Sequence, residues 1–167
     1  DLLRAFQLHR AGKYNEAISQ YAEILREDQT NVDALHYMGL AHLQIGDSSR
    51  AAELLDRAAR LCPNDSTILI NAATATFRSG QFEHSMELSR ALLAINSDSA
   101  DAYNNLGNIY IEKNSFNEAL ACFNKAIGIS PKNGIFYYNR GRAFFNLRHL
   151  DTATQDFQKA ISLLPDF

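Results

Sequence analysis

Asn71, Asn105 and Asn139 stand 34 residues apart. A carboxamide donates and accepts hydrogen bonds as a peptide group does. One amide at each step of a regular array can therefore hold the backbone of an extended polypeptide without reading its side chains. Asn108, Asn146, Arg78 and Arg142 lie at neighbouring helical positions. The two arginines either favour an acidic ligand side chain or pair with Asp101 or Glu112. Toward the amino end the same stripe carries Phe6, Tyr37 and Leu40, an apolar patch suited to a large side chain. Catalytic chemistry finds little provision: His9, His36, His42, His84 and His149 are scattered, with no His-x3-His on one helix face. There is no glycine-rich phosphate loop and no G-x-S-x-G elbow. His9 and His36 can both point toward the same groove, but no carboxylate set at ligand spacing accompanies them. No metal and no cofactor are expected.

The asparagines share a surface only if each rides on an equivalent element, and the rest of the sequence supplies that element. Gly12, Gly46 and Gly80 are also 34 residues apart. With repeats at 1–31, 32–65, 66–99, 100–133 and 134–167, one column holds Ala5, Gly39, Ala73, Gly107 and Gly141. Another holds Ala17, Ala51, Ser85, Ala119 and Ala153. A large-residue column reads Tyr21, Leu55, Ser89, Phe123 and Phe157, and prolines close three repeats at Pro63, Pro131 and Pro165. Each repeat then consists of two helices joined by a turn whose glycine takes the left-handed conformation. Asn114 is the best substitute for glycine there, whereas Arg148 is a departure without a reason in the sequence. On a helix at 100° per residue, positions 4, 7, 8 and 11 of a repeat form a core stripe and positions 2, 6, 9 and 13 lie opposite it. The sixth position is the one that holds Asn71, Asn105 and Asn139, so their side chains are expected to face solvent in the groove.

The pattern resembles the tetratricopeptide repeat, written W-x2-L-G-x2-Y, A-x3-F and P. The fourth repeat meets it with Tyr103 in place of Trp, then Leu106, Gly107, Tyr110, Ala119, Phe123 and Pro131. The resemblance covers essentially the whole chain. It implies an all-α, right-handed superhelical solenoid of five helix-turn-helix repeats, with first helices lining a concave groove. It also implies a protein interaction module or scaffold that binds an extended polypeptide. The asparagine column is similar to the ladder in the repeat superhelix of O-linked N-acetylglucosamine transferases. It covers only part of the groove here, since Tyr37 and Leu3 occupy the column before Asn71. A substrate-selecting region of such a larger enzyme is therefore the alternative. The carboxylate clamp known in this family is not met, because Ile70, Thr74, Asn105, Ile135 and Asn139 fill its five columns and only one of them matches.

Composition narrows the partners. The 167 residues carry a formal charge of -3 at pH 7, so there is no cationic excess for nucleic acid or an anionic membrane. Cys62 and Cys122 match no metal spacing and no disulfide framework, and a cytoplasmic setting is expected. Leu2, Leu3 and Phe6 open the sequence and "ISLLPDF" ends it without a polar capping helix. Self-association through these ends, or continuation of the parent chain, is expected on that ground. Thr76, Ser85, Ser89 and Ser97 make the third repeat the most divergent, and it is expected to be the least stable.

Overall fold

A computed structural model describes residues 2–164 as ten α-helices: α1 Leu2–Arg10, α2 Tyr14–Glu27, α3 Val32–Gln44, α4 Ser48–Leu61, α5 Ser66–Arg78, α6 Phe82–Ile95, α7 Ala100–Glu112, α8 Phe116–Ile129, α9 Gly134–Asn146 and α10 Leu150–Leu163. The first helices fall where the repeat register puts them, and Gly46 and Gly80 lie between helices. Pro165 lies outside the described residues. The chain forms two compact units that divide after Leu88, within α6.

Local chemistry sets the helix ends. Asn31, Asp65, Ser99 and Asn133 precede α3, α5, α7 and α9 and accept hydrogen bonds from the backbone N–H groups of Ala34, Ile68, Ala102 and Ile135. These caps satisfy donors that a helix leaves open at its start. Each repeat's first helix stops at a residue with positive φ: Gly12 (74°), Gly46 (83°), Gly80 (82°), Asn114 (58°) and Arg148 (63°). The next N–H closes the turn onto the carbonyl five residues back, as from Gln81 to Thr76 at 2.8 Å and from His149 to Phe144 at 2.9 Å. Arg148 thus adopts the glycine conformation despite its Cβ.

In the amino-terminal unit, Ala5, Ala17, Tyr21 and Ala34 form a buried cluster onto which Leu8, Ile24, Leu25 and Met38 pack. A Cβ on Gly39 would come within 2.6 Å of Leu55 Cγ. That column is small because the neighbouring helix approaches it closely. The carboxyl-terminal unit repeats the device, with a Cβ on Gly107 falling 2.5 Å from Phe123 Cε1. Its core gathers Ile111, Ala119, Phe123 and Ala143 in one cluster and Ala100, Ala126 and Phe136 in another. The divergent third-repeat hydroxyls are not orphaned. Thr76 Oγ1 donates to the carbonyls of Ala72 and Ala73 at 2.8 and 3.0 Å, and Ser85 Oγ donates to Ala73 at 2.6 Å.

Candidate functional site

In the amino-terminal unit α1, α3 and α5 carry the candidate residues. Phe6 meets Tyr37 edge-on with centroids 5.1 Å apart, and Tyr37 also contacts the rings of His9, Tyr21 and His36. Leu2, Leu3, Phe6, Asp33 and Tyr37 line an open, largely apolar cavity of about 460 Å³. Leu40 is half-buried and Arg78 is exposed. Asn71 is half-buried as well, with Nδ2 2.8 Å from His36 Nε2. An amide nitrogen only donates, so Nε2 accepts and the imidazole carries its proton on Nδ1. Burial pushes the His36 pKa down, against the pull of Asp65 and Asp33, which suits a neutral ring. His9 is lowered chiefly by burial too, and its ring packs among Tyr14, Tyr21 and Tyr37.

In the carboxyl-terminal unit the same column behaves alike. Asn139 Nδ2 donates to Asn104 Oδ1 at 2.8 Å, across the same step of 35 residues that links Asn71 to His36. The expectation that the asparagine side chains face solvent is corrected here. Asn105 is 7% exposed and Asn139 6% exposed. A side chain at the sixth position points along the seam between consecutive first helices, and a short polar group there is covered by its neighbour. Asn71 and Asn139 each commit one N–H to that seam and retain the other N–H and the carbonyl oxygen. Asn108 Oδ1 is buried without a hydrogen-bond partner. Arg142 Nη2 lies 4.0 Å from Glu112 Oε1, the pairing allowed for in the sequence, and Asn146 Nδ2 donates to the Arg142 carbonyl at 2.8 Å.

Two polar arrangements escaped sequence reasoning. Arg140 Nε and Nη2 grip both oxygens of Asp156 at 2.7 Å, and Nη1 donates to Asn124 Oδ1 at 2.8 Å. Asp156 is buried. The signal was present: Arg140 occupies the core position that Leu106 fills one repeat earlier, and a charge in a core column calls for a buried counterpart. In the other unit His84 bridges Asp56 at 2.6 Å and Glu87 at 3.2 Å, while Arg60 joins Asp56 at 2.7 Å. Burial lowers the His84 pKa, but the hydrogen bonds to both carboxylates outweigh it and the net direction is up. His42, expected to be a packing histidine, is buried. Its Nδ1 lies 3.3 Å from Asp47 Oδ2 but out of line for a hydrogen bond.

Three family models match the sequence, one described as Tetratricopeptide repeat over residues 8–66, one as TPR repeat over 107–147 and one as Tetratricopeptide repeat over 134–167. Human DnaJ homolog subfamily C member 7 is 30% identical over 166 residues, covering 97% of this chain and 29% of the relative. The chain thus spans less than a third of that protein. The crystal structure of MamA superposes with a TM-score of 0.81 at 25% identity, covering 97% of this chain and 95% of MamA. YrrB, described as a TPR protein with an unusual peptide-binding site, gives a TM-score of 0.73 at 18% identity over 97% of this chain and 84% of its own. The fold class is that of the all-α repeat solenoids.

Proposed function

Because the chain belongs to the tetratricopeptide repeat family, we propose that it is a protein interaction module whose first-helix face receives a partner segment in extended conformation. The observation that carries this reading is the open apolar cavity at Phe6 and Tyr37 of the amino-terminal unit, in the same unit as Asn71, whose amide commits one N–H to His36 and keeps its carbonyl oxygen. An apolar pocket flanked by a few polar groups is the usual form of a specific site. An extended peptide offers one carbonyl and one N–H per residue to amides that can answer either. The peptide-binding description of YrrB supports the same reading by likeness of fold.

On this reading the chain acts as a binding element. No described helix is long and apolar enough to cross a membrane. Both cysteines are free and half-buried, and a cytoplasmic setting suits them.

The test is calorimetric titration with a pool of extended peptides, comparing variants of the face with variants of the opposite helices. Because Asn139 and Asn71 hold the seam, their replacement would confound binding with stability, so accessible positions serve better. Leu3→Ala, at an exposed position lining the cavity, together with Arg78→Ala, also exposed, is expected to weaken binding at least tenfold without lowering the melting temperature. Asn117→Ala with Glu118→Ala, both exposed on α8, should leave affinity unchanged. Equal effects from the two sets would overturn the assignment. Asn124 and Asn133 are unsuitable controls, since the first holds Arg140 and the second caps α9.

A further inference from the structure

We propose that the amino-terminal unit reads a pattern in its ligand, a large apolar side chain followed by a cationic one, through two cavities that share Asp33 and Tyr37. This rests on the reading of the first-helix face as a polypeptide site and adds which segments that site accepts. The first cavity is the apolar one of about 460 Å³ beside Leu2 and Phe6. The second, of about 680 Å³, is lined by the carboxylates of Asp28, Asp33 and Asp65 together with His36, and no lysine or arginine lines it. Three carboxylates on low-dielectric walls without a counter-charge focus a negative potential where a guest would sit. Asp28 is held ionised, because the hydroxyl and N–H of Thr30 both donate to it, at 2.7 and 2.9 Å, and lower its pKa.

The independent observation is His36, which is 9% exposed. Its Nε2 is taken by Asn71, so Nδ1–H is the edge it has for a guest, and that donor has no protein partner among the described residues. A lone donor beside three carboxylates asks for a guest that carries an acceptor and a positive charge together. A basic residue in an extended segment does so, with its carbonyl to His36 and its side chain to the carboxylates. Among the described residues no cluster of His, Cys, Asp or Glu is disposed to hold a metal ion. Spread carboxylates suit the broad guanidinium of arginine, which several acceptors can share. In an extended strand, residues two apart point to the same side about 7 Å from each other. Neighbouring cavities are thus within reach of two side chains of one peptide.

Fluorescein-labelled Gly/Ser host peptides would carry one phenylalanine and, two to four positions later, arginine, glutamine or glutamate, with binding read by anisotropy. The arginine peptide is expected to bind at least tenfold tighter than the glutamine peptide at its best spacing, and the glutamate peptide more weakly than either. Asp33→Asn with Asp65→Asn should remove most of the arginine preference, read as the ratio of the arginine-peptide to the glutamine-peptide affinity in the same variant. Asparagine still caps α5, and circular dichroism checks that the fold is kept. Asp33→Asn alone, at an exposed position, should reduce the preference about threefold and serves if the double variant is unstable. Binding without preference for arginine, or a preference that survives both variants, overturns this inference while the polypeptide reading stands. Failure of every peptide to bind overturns both.

Discussion

In the amino-terminal unit Asn71 gives its amide hydrogen to His36, and in the carboxyl-terminal unit Asn139 gives its own to Asn104. Position, step length and distance are the same, but the acceptor is titratable in one unit and not in the other. The contrast extends to other columns. Where the first unit buries Tyr21, the second buries Phe123. Where the first turns its helices with Gly12, Gly46 and Gly80, the second uses Asn114 and Arg148. The charged network of the first, around His84, is partly open to solvent, whereas that of the second centres on buried Asp156. A repeat register therefore fixes where a side chain points and leaves its chemistry open. The units differ in what would disturb them.

The largest difference should come from the charged networks. Asp156→Ala leaves Arg140 without the carboxylate that both arms of its guanidinium hold, and is expected to destabilise by about 3 kcal/mol, the lower end for breaking a buried pair. Asp56→Ala, which leaves a third-exposed His84 to water, should cost about 1 kcal/mol. Urea unfolding of both variants measures this. Equal losses would remove the distinction between a buried and a wetted network.

Tyr21→Phe makes the first unit resemble the second. The Tyr21 hydroxyl is buried without a partner, and burial, aided by Tyr37, pushes its pKa up to about 12. Removing an unsatisfied buried hydroxyl should stabilise by about 1 kcal/mol, seen as a raised denaturation midpoint with an unchanged slope. Loss of stability instead would show that the hydroxyl has a partner.

Arg148→Gly carries the converse exchange, giving the second unit the turn residue of the first. A left-handed residue with a Cβ costs about 1–2 kcal/mol, and glycine's extra unfolded-state freedom offsets about 0.5–1 of it. The expected gain is about 0.5–1 kcal/mol. Asn114→Gly should gain less, since asparagine tolerates this conformation. If Arg148→Gly gains nothing, the arginine side chain makes compensating contacts.

The helices were legible because they rest on local, repeated signals: a small column that the structure explains by the approach of Leu55 to Gly39 and Phe123 to Gly107, and a turn glycine that it explains by positive φ. The burial of Asn105 and Asn139 was not legible in the same way. Helical phase places Asn139 opposite the core stripe, but whether that direction meets water or the next helix depends on how consecutive repeats pack, which no single-helix period encodes. Arg140 with Asp156 was missed because reading by column rewards agreement, while the informative residue was the one that broke its column.

The smallest expected effect is a pH dependence confined to the first unit. His36 is neutral while it accepts from Asn71, and its folded pKa lies below the ordinary 6.5 because it is buried, with Asp65 and Asp33 opposing and His9 adding to the depression. Above that value the ring is neutral folded and unfolded, and its contribution is complete. As pH falls below it, the unfolded chain takes up the proton that the folded chain resists, and stability is lost. His9 and His42 are lowered in the same sense, again mainly by burial. His84 runs the other way, since its raised pKa gives stability that is present below 6.5 and fades as pH rises through the folded value. Three groups against one leave the first unit weaker on mild acidification. Between about pH 7.5 and 5.5, above the carboxylate range, amide exchange corrected for its intrinsic pH dependence should accelerate a few-fold in α1 to α5 relative to α8 to α10. His36→Asn installs in the first unit the amide pair that the second already has, and should remove part of that acceleration. Equal acceleration in both units, or no change on His36→Asn, would mean that the two seams are interchangeable despite their different acceptors.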